Sequence, residues 1–331
     1  MGIKIGSINA DTSVKLGTTT IQSGYIGTNL IFGNQLIKIL DIFPTAHHAY
    51  SLRKLRSAYS GFCLRIRRTT TTPSVTTTTV DLSFDSNNTI SLNSAITYVS
   101  GTATTATNLG QFCASILNGY TNPDLVNINQ NIFVVTWFDQ SGNGKNPTNA
   151  TAGQQPRLVN GGNLETSGGK VAVRFTRASS NNLSITDTTA NINNMSSYWV
   201  GAFVTTVINQ IGYSLATANR FYFPYIPGAN TFAAYNTSTT AIQLDTGVST
   251  NRKLYELLAP SPLNSAVVQG WTNGVAKTTF AIATAFATQT ITLGTGGTLY
   301  FDGYIQEVIG YQSNTNREGK ESNINSFWQI F

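Results

Sequence analysis

From Ile132 onward the sequence is cut into short blocks of β-branched and aromatic residues separated by Gly, Asn, Ser and Thr. The blocks are Ile132 to Phe138, Val171 to Phe175, Tyr198 to Val207, Arg220 to Tyr225, Thr231 to Tyr235, Val267 to Trp271, Thr288 to Leu293 and Tyr304 to Tyr311. Each is long enough for a strand and too short for a packed helix, and the turn signals between them suit an all-β sandwich. Trp271-Thr272-Asn273-Gly274-Val275 is the sharpest of these signals, because Asn-Gly is the preferred pair for a type I′ hairpin turn.

Composition narrows the choice further. Charged residues make up 10% of the 331 residues, against about 25% in an average soluble protein. Coiled coils, long solvated helices and charge-driven disorder all need more, so the polar surface must come from Thr, Ser, Asn, Gln and Gly. The net charge of +6 is small for the length. The basic cluster at 53–68 is divided between two predicted elements and lacks interleaved aromatics for base stacking, which argues against a nucleic-acid partner. No run approaches the roughly 18 apolar residues of a membrane span, and Met1-Gly2-Ile3-Lys4 does not lead into a signal core. The expectation is a chain made and kept in a cytosol, with no membrane partner.

The first forty residues contain an imperfect repeat, Lys15-Leu16-Gly17-Thr18-Thr19-Thr20-Ile21 and Tyr25-Ile26-Gly27-Thr28-Asn29-Leu30-Ile31, which predicts two tight hairpins. A meander this small buries little surface, so residues 1–40 are expected to attach to a larger body or another chain. Between Pro44 and Gly61 the three-to-four spacing of Ala49, Leu52, Leu55, Arg56 and Tyr59 predicts a helix capped by Thr45. A strand over Phe62–Arg67 follows, pointing Phe62, Leu64 and Ile66 one way and Cys63, Arg65 and Arg67 the other. Thr69 to Thr79 is expected to be an exposed loop or edge strand. Short helices are predicted around Leu109, Phe112, Cys113, Ile116 and Leu117, and at Asn316 to Phe327.

Two sequence blocks carry a resemblance. Ala49-Tyr50-Ser51-Leu52-Arg53-Lys54-Leu55-Arg56-Ser57-Ala58-Tyr59-Ser60-Gly61, with the Arg-bearing strand after it, and Trp137-Phe138-Asp139-Gln140-Ser141-Gly142-Asn143-Gly144 resemble the α-L-arabinofuranosidase B catalytic domain. The same blocks, with Phe301 to Tyr311 and Glu321 to Asn325, resemble those of tailed-bacteriophage virion proteins, and the Gly-Thr hairpins resemble their N-terminal segments. The resemblance covers about residues 41–331. It implies a concanavalin A-like, LamG-like jelly-roll β-sandwich with a few short helices, preceded by a small N-terminal β-meander at 1–40.

Within the second block, Asp139, Ser141, Gly142, Asn143 and Gly144 read as a structural turn: the carboxylate can accept from backbone amides a few residues on, and the glycines permit positive φ. One carboxylate is too few for a calcium loop, so no metal and no cofactor are expected. A glycosidase needs two carboxyl groups about 5 to 9.5 Å apart. The place matching the family's acid/base aspartate reads Gly296-Gly297-Thr298-Leu299, and Tyr222 to Gln243, where the nucleophile would fall, holds no Asp or Glu. Asp302 and Glu307 lie five residues apart on one strand, about 16 Å at 3.3 Å per residue. Asp245 and Glu256 read as solvated surface groups, and adjacent His47 and His48 on a helix do not build a Ser-His-Asp set.

No catalytic residue is therefore assigned. The expectation is a non-enzymatic virion structural protein (fibre, decoration or tail appendage), assembled in the bacterial cytoplasm as a homo-oligomer and attached to other virion proteins through residues 1–40. It would display a lectin-like domain to host-surface glycans, with Tyr222, Tyr225, Tyr235 and Trp271 as carbohydrate-binding aromatics. The alternative is a glycoside hydrolase of arabinofuranosidase type.

Overall fold

A computed structural model describes residues 37–70, 76–114, 130–187, 189, 195–205, 207–216, 221–226, 231–235, 240–246, 249–259, 267–281 and 290–331, with four short strands between 14 and 32. The chain divides into two units, Met1–Ile37 and Lys38–Phe331. In the first, Val14–Leu16 pairs with Thr19–Ile21 and Gly24–Ile26 with Asn29–Phe32, both antiparallel.

The second unit is a β-sandwich, and no helix among its described residues is long and apolar enough to cross a membrane. Among the described residues its larger sheet has 13 strands. Gly303–Tyr311 is the axis of that sheet, pairing along its length with Ser196–Phe203 and on its other side with Val173–Phe175 and then Ala46–Ser51. From Ser196–Phe203 the sheet continues through Lys253–Leu258 and Val267–Thr272 to Val275–Ala281. From Val173–Phe175 it continues through Arg157–Asn160, Ile132–Trp137, Leu64–Thr70 and Thr76–Leu82 to Ile96–Gly101. The smaller sheet has six strands: Leu183–Thr186, Thr290–Leu293, Gln210–Ala216, Phe221–Ile226, Thr231–Tyr235 and Thr240–Asp245.

One apolar core takes side chains from both sheets, including Trp199, Val308, Tyr213, Leu215, Leu293 and Phe301. Trp199 meets Phe203, Tyr255 and Phe301 at ring-centroid distances of 6.1, 5.7 and 5.8 Å, the last of them edge-to-face, a geometry that adds to the buried area. Asn273 and Gly274, at φ 50° and 76°, make the predicted hairpin turn, where both central residues must be left-handed. The closing helix is Arg317–Trp328, which buries Lys320, Ile324 and Trp328.

Two local expectations are corrected and a third is met in part. The segment predicted as a helix from Pro44 to Gly61 contains the strand Ala46–Ser51, followed by irregular chain bridged at Arg53 to Thr89. All six of its residues are buried, so it shows no alternation of polar and apolar positions, and the helical spacing beyond it arises from contacts made outside any helix. Thr76–Leu82 is not at an edge but lies between Leu64–Thr70 and Ile96–Gly101. The second helix is Leu109–Ala114, burying Leu109, Phe112 and Cys113; Ile116 and Leu117 lie outside the described residues.

Candidate functional site

The turn after Ile132–Trp137 joins the two sequence blocks to each other. Asp139 Oδ1 accepts from the amides of Ser141 (2.9 Å) and Ala49 (2.8 Å), while Oδ2 accepts from Ser141 Oγ (2.7 Å) and the Lys145 amide (3.1 Å). Gly142 and Gly144 take φ of 95° and 70°. Asn143 Nδ2 donates to the carbonyls of Ala46 and His47, and Gln140 Nε2 to those of Ser51 and Arg53. The turn thus straps the strand Ala46–Ser51, satisfying backbone groups that burial would otherwise leave unpaired.

That strap sets the position of Lys145 and of two histidines. Lys145 Nζ lies 2.7 Å from Asp187 Oδ1 and 2.7 Å from Thr189 Oγ1. His47 Nε2 stands 3.4 Å from Asp187 Oδ2 and 3.3 Å from Thr189 Oγ1, and its Nδ1 is 3.0 Å from His48 Nδ1. His48 Nε2 is 2.8 Å from the hydroxyl of Tyr213, on the smaller sheet. Gly310 makes room for this ring, since a Cβ there would sit 2.3 Å from an imidazole carbon.

Burial keeps both imidazoles neutral: the His48 pKa falls well below its ordinary value, with His47 adding to the effect, and that of His47 falls despite Asp187 beside it. Burial alone would raise the Asp187 carboxyl, but Lys145, Thr189 and His47 outweigh it and hold the pKa at about 2. An ionised Asp187 selects the tautomers, because a bare His47 Nε2 facing it would be repelled. His47 Nε2–H therefore points toward Asp187, His48 Nδ1–H donates to His47 Nδ1, and the Tyr213 hydroxyl donates to His48 Nε2. The result is a directed chain from a buried phenol to a charged pair beside exposed Thr189.

Of the sequence-predicted aromatic residues, Tyr225 and Trp271 lie on different sheets. Tyr225, on the smaller sheet, is half-buried and packs with Ile211 of that sheet and with Leu299. Trp271 belongs to the larger sheet, with the Arg317 guanidinium 4.6 Å from its ring centroid. Tyr222 and Tyr235 lie on neighbouring strands of the smaller sheet, but their side chains fall outside the described residues.

The acids can be followed nearly one by one. Of 14 Asp and Glu residues, Asp11 and Asp124 lie outside the described residues, leaving twelve. Asp81, Glu165, Asp245, Asp302 and Glu307 each pair with one basic side chain: Arg65, Arg157, Lys253, Arg174 and Arg53 respectively. Asp139 is held by its turn, Asp41 by Ser57, and Asp85 by the amides of Asn87 and Thr89. Glu256 and Glu321 both accept from Arg317 Nη1, at 2.9 and 2.5 Å. Glu256 is fully buried rather than solvated, and burial, with Glu321 beside it, raises its pKa to about 9. Glu318 is exposed, 3.9 Å from Arg317. Among the described residues no group of three or more His, Cys, Asp and Glu is placed to hold a metal ion.

No protein-family model and no curated protein matches the sequence. Solved structures do match the fold. An arabinofuranosidase complexed with arabinofuranosyl-α-1,2-xylobiose matches over 88% of this chain and 64% of its own, at 16% identity and a TM-score of 0.53. A GH54 α-L-arabinofuranosidase soaked with a cyclic sulfate inhibitor matches over 90% of this chain and 64% of its own, at 16% identity and 0.50. A variant of a GH54 α-L-arabinofuranosidase, soaked with 4-nitrophenyl α-L-arabinofuranoside, gives 16% identity and 0.52 over the same shares. The fold shared with them is a β-sandwich. This chain spans about 64% of the length of the arabinofuranosidases it matches.

These likenesses correct the functional expectation. The non-enzymatic virion structural protein is not supported: the matches lie with arabinofuranosidases, which favour the alternative, and none of them points to a phage or a virion.

The sequence reading missed the Lys145–Asp187–His47–His48–Tyr213 chain altogether. Its only signal was a pair of adjacent histidines followed by Tyr50, which assigning the segment to a helix turned away from each other.

Proposed function

We propose that this is a carbohydrate-active protein of the arabinofuranosidase type, whose ligands are glycans carrying arabinofuranosyl units. The observation that carries the reading is the shared fold over 88–90% of the chain with arabinofuranosidase structures. Recognition of sugar hydroxyls is assigned to Lys145, Asp187 and Thr189, where an ionised carboxylate and an ammonium group stand beside an exposed hydroxyl. Charged partners of this kind make the stronger hydrogen bonds.

Two forms of the reading differ in outcome. Hydrolysis is favoured by the fold likeness. Binding without turnover is favoured by the acids, since of the twelve described ones only exposed Glu318 is not held in a close hydrogen bond or ion pair. Glu256 and Glu321 share one guanidinium nitrogen, which leaves no room for a sugar between them.

Purified full-length protein is incubated with 4-nitrophenyl α-L-arabinofuranoside and, separately, titrated with arabinofuranosyl-substituted xylo-oligosaccharides by calorimetry. Release of nitrophenol identifies the hydrolase. Saturable heat without release identifies the binder, with Asp187→Asn and Lys145→Met each weakening it about tenfold. Silence in both arms removes the reading.

A further inference from the structure

A cavity of about 220 Å³ lies between the C-terminal helix and the segments 89–90 and 169–171. It is smaller than the roughly 300–1,000 Å³ of drug-sized ligand sites and suits a single sugar ring. Leu52, Ile90, Val171, Phe327 and Trp328 give it apolar walls, and Lys170 gives it a cation. Trp328 directs its indole N–H to Glu307 at 3.1 Å, so it meets the cavity as apolar surface.

Charge at this site is one-sided. Lys170 Nζ is 4.9 Å from the Phe327 ring centroid, and Arg53 Cζ is 4.9 Å from the same centroid. Among the described residues no carboxylate pairs with Lys170. Glu307, the buried acid nearby, is already matched by Arg53. Burial lowers the Lys170 pKa, and the charged groups that act on it, Arg252 and Arg53, are both cations and add to that lowering. A half-buried ammonium group beside two guanidinium groups and an aromatic wall is complementary to an anion carried on an apolar-faced ring.

We propose that this cavity binds a monosaccharide bearing a carboxylate, a uronic acid unit, with its ring against Phe327 and its carboxylate on Lys170. The proposal rests on the carbohydrate reading for its ligand class only; the site is distinct from Lys145 and Asp187.

The full chain is titrated with D-glucuronic acid, D-glucose, acetate and inorganic phosphate, with binding followed by tryptophan fluorescence. Glucuronic acid is expected to saturate at least about tenfold more tightly than the other three, the margin set by a partly desolvated charge pair. Lys170→Met should remove that margin and Lys170→Arg should keep most of it. Phe327→Leu, which retains apolar volume, should weaken glucuronic acid by a smaller factor. Equal binding of glucose, equal binding of phosphate or acetate, no binding of glucuronic acid, or an unaltered margin in Lys170→Met would each overturn the proposal. Arabinofuranosyl oligosaccharides should bind Lys170→Met as they bind the parent, so failure here is separable from failure of the general reading.

Discussion

Glu307 and Glu256 are both fully buried glutamates of the larger sheet, and both are reached by the C-terminal helix, yet their surroundings are opposite. Glu307 receives Arg53 through two nitrogens, at 2.7 and 3.0 Å, together with Ser51 Oγ and Trp328 Nε1. Glu256 shares the single cation Arg317 with Glu321. Glu307 has a cation of its own and is hydrogen-bonded on both oxygens, whereas Glu256 shares its cation with a second acid, and burial, with that acid beside it, raises its pKa to about 9. Depth comes first in raising Glu256, and the second acid on its cation adds to it.

The largest effect should come from unbalancing the matched pair. Arg53→Ala leaves Glu307 buried without its cation, and breaking such a pair costs about 3–5 kcal/mol. Urea unfolding should show that loss, and the double variant Arg53→Met with Glu307→Met should recover part of it. A double variant as unstable as Arg53→Ala would mean that the pair holds the local fold by shape rather than by charge.

The unmatched pair should reveal itself through pH. The folded pKa of Glu256, about 9, exceeds the ordinary 4.5, so the folded state binds the extra proton. Its contribution is complete below about pH 4.5 and is lost as pH rises toward 9, with a slope approaching about 1.4 kcal/mol per pH unit. Burial lowers Lys320 to about 8 and holds His47 and His48 below their ordinary 6.5, so below about pH 7 the histidines and above pH 8 the lysine contribute in the other direction, and pH 7 to 8 is the clean window. Unfolding free energy should fall at about that slope across it, and Glu256→Gln should flatten the curve. The same slope in that variant would remove Glu256 as its source.

How much of this could be seen in the sequence depended on range. The Asp139 turn was legible because its partners at 141 and 145 are a few residues away, and Asn273-Gly274 because a two-residue turn carries its own backbone requirement. The closing helix was legible from its periodicity. The strand Ala46–Ser51 was not, since a strand buried on both faces lacks alternation. Glu256 was misread as solvated because Arg317 is 61 residues away, and the Arg53–Glu307 pair spans 254. The Tyr222, Tyr225, Tyr235 and Trp271 set was chosen by residue type along strands, and type does not say which sheet a strand joins.

Asp187 extends the comparison to a third, intermediate case: one carboxylate with a lysine and a neutral histidine. Its folded pKa of about 2 lies below the ordinary 3.8, so its contribution is present above about pH 4 and is lost as pH falls toward 2. The loss should be about 2 kcal/mol. Asp187→Asn should show a smaller decline over the same acid range, and an unchanged acid limb would place the shift elsewhere.

The smallest effect tests whether the far end of that chain is tied to its charged end. Tyr213 donates one hydrogen bond to His48 Nε2, and Tyr213→Phe removes it while keeping the ring that packs in the core. A net cost of about 1 kcal/mol is expected, as for an ordinary buried hydrogen bond. The more telling readout is the nitrogen-15 spectrum of His48. With the phenol gone, Nε2 loses its donor, but the ionised Asp187 still fixes the His47 tautomer, so His48 should remain Nδ1-protonated in Tyr213→Phe and lose that preference in Asp187→Asn. The reverse pattern would show that the tautomers are set from the core outward, and that the charged pair beside Thr189 follows the chain rather than directing it.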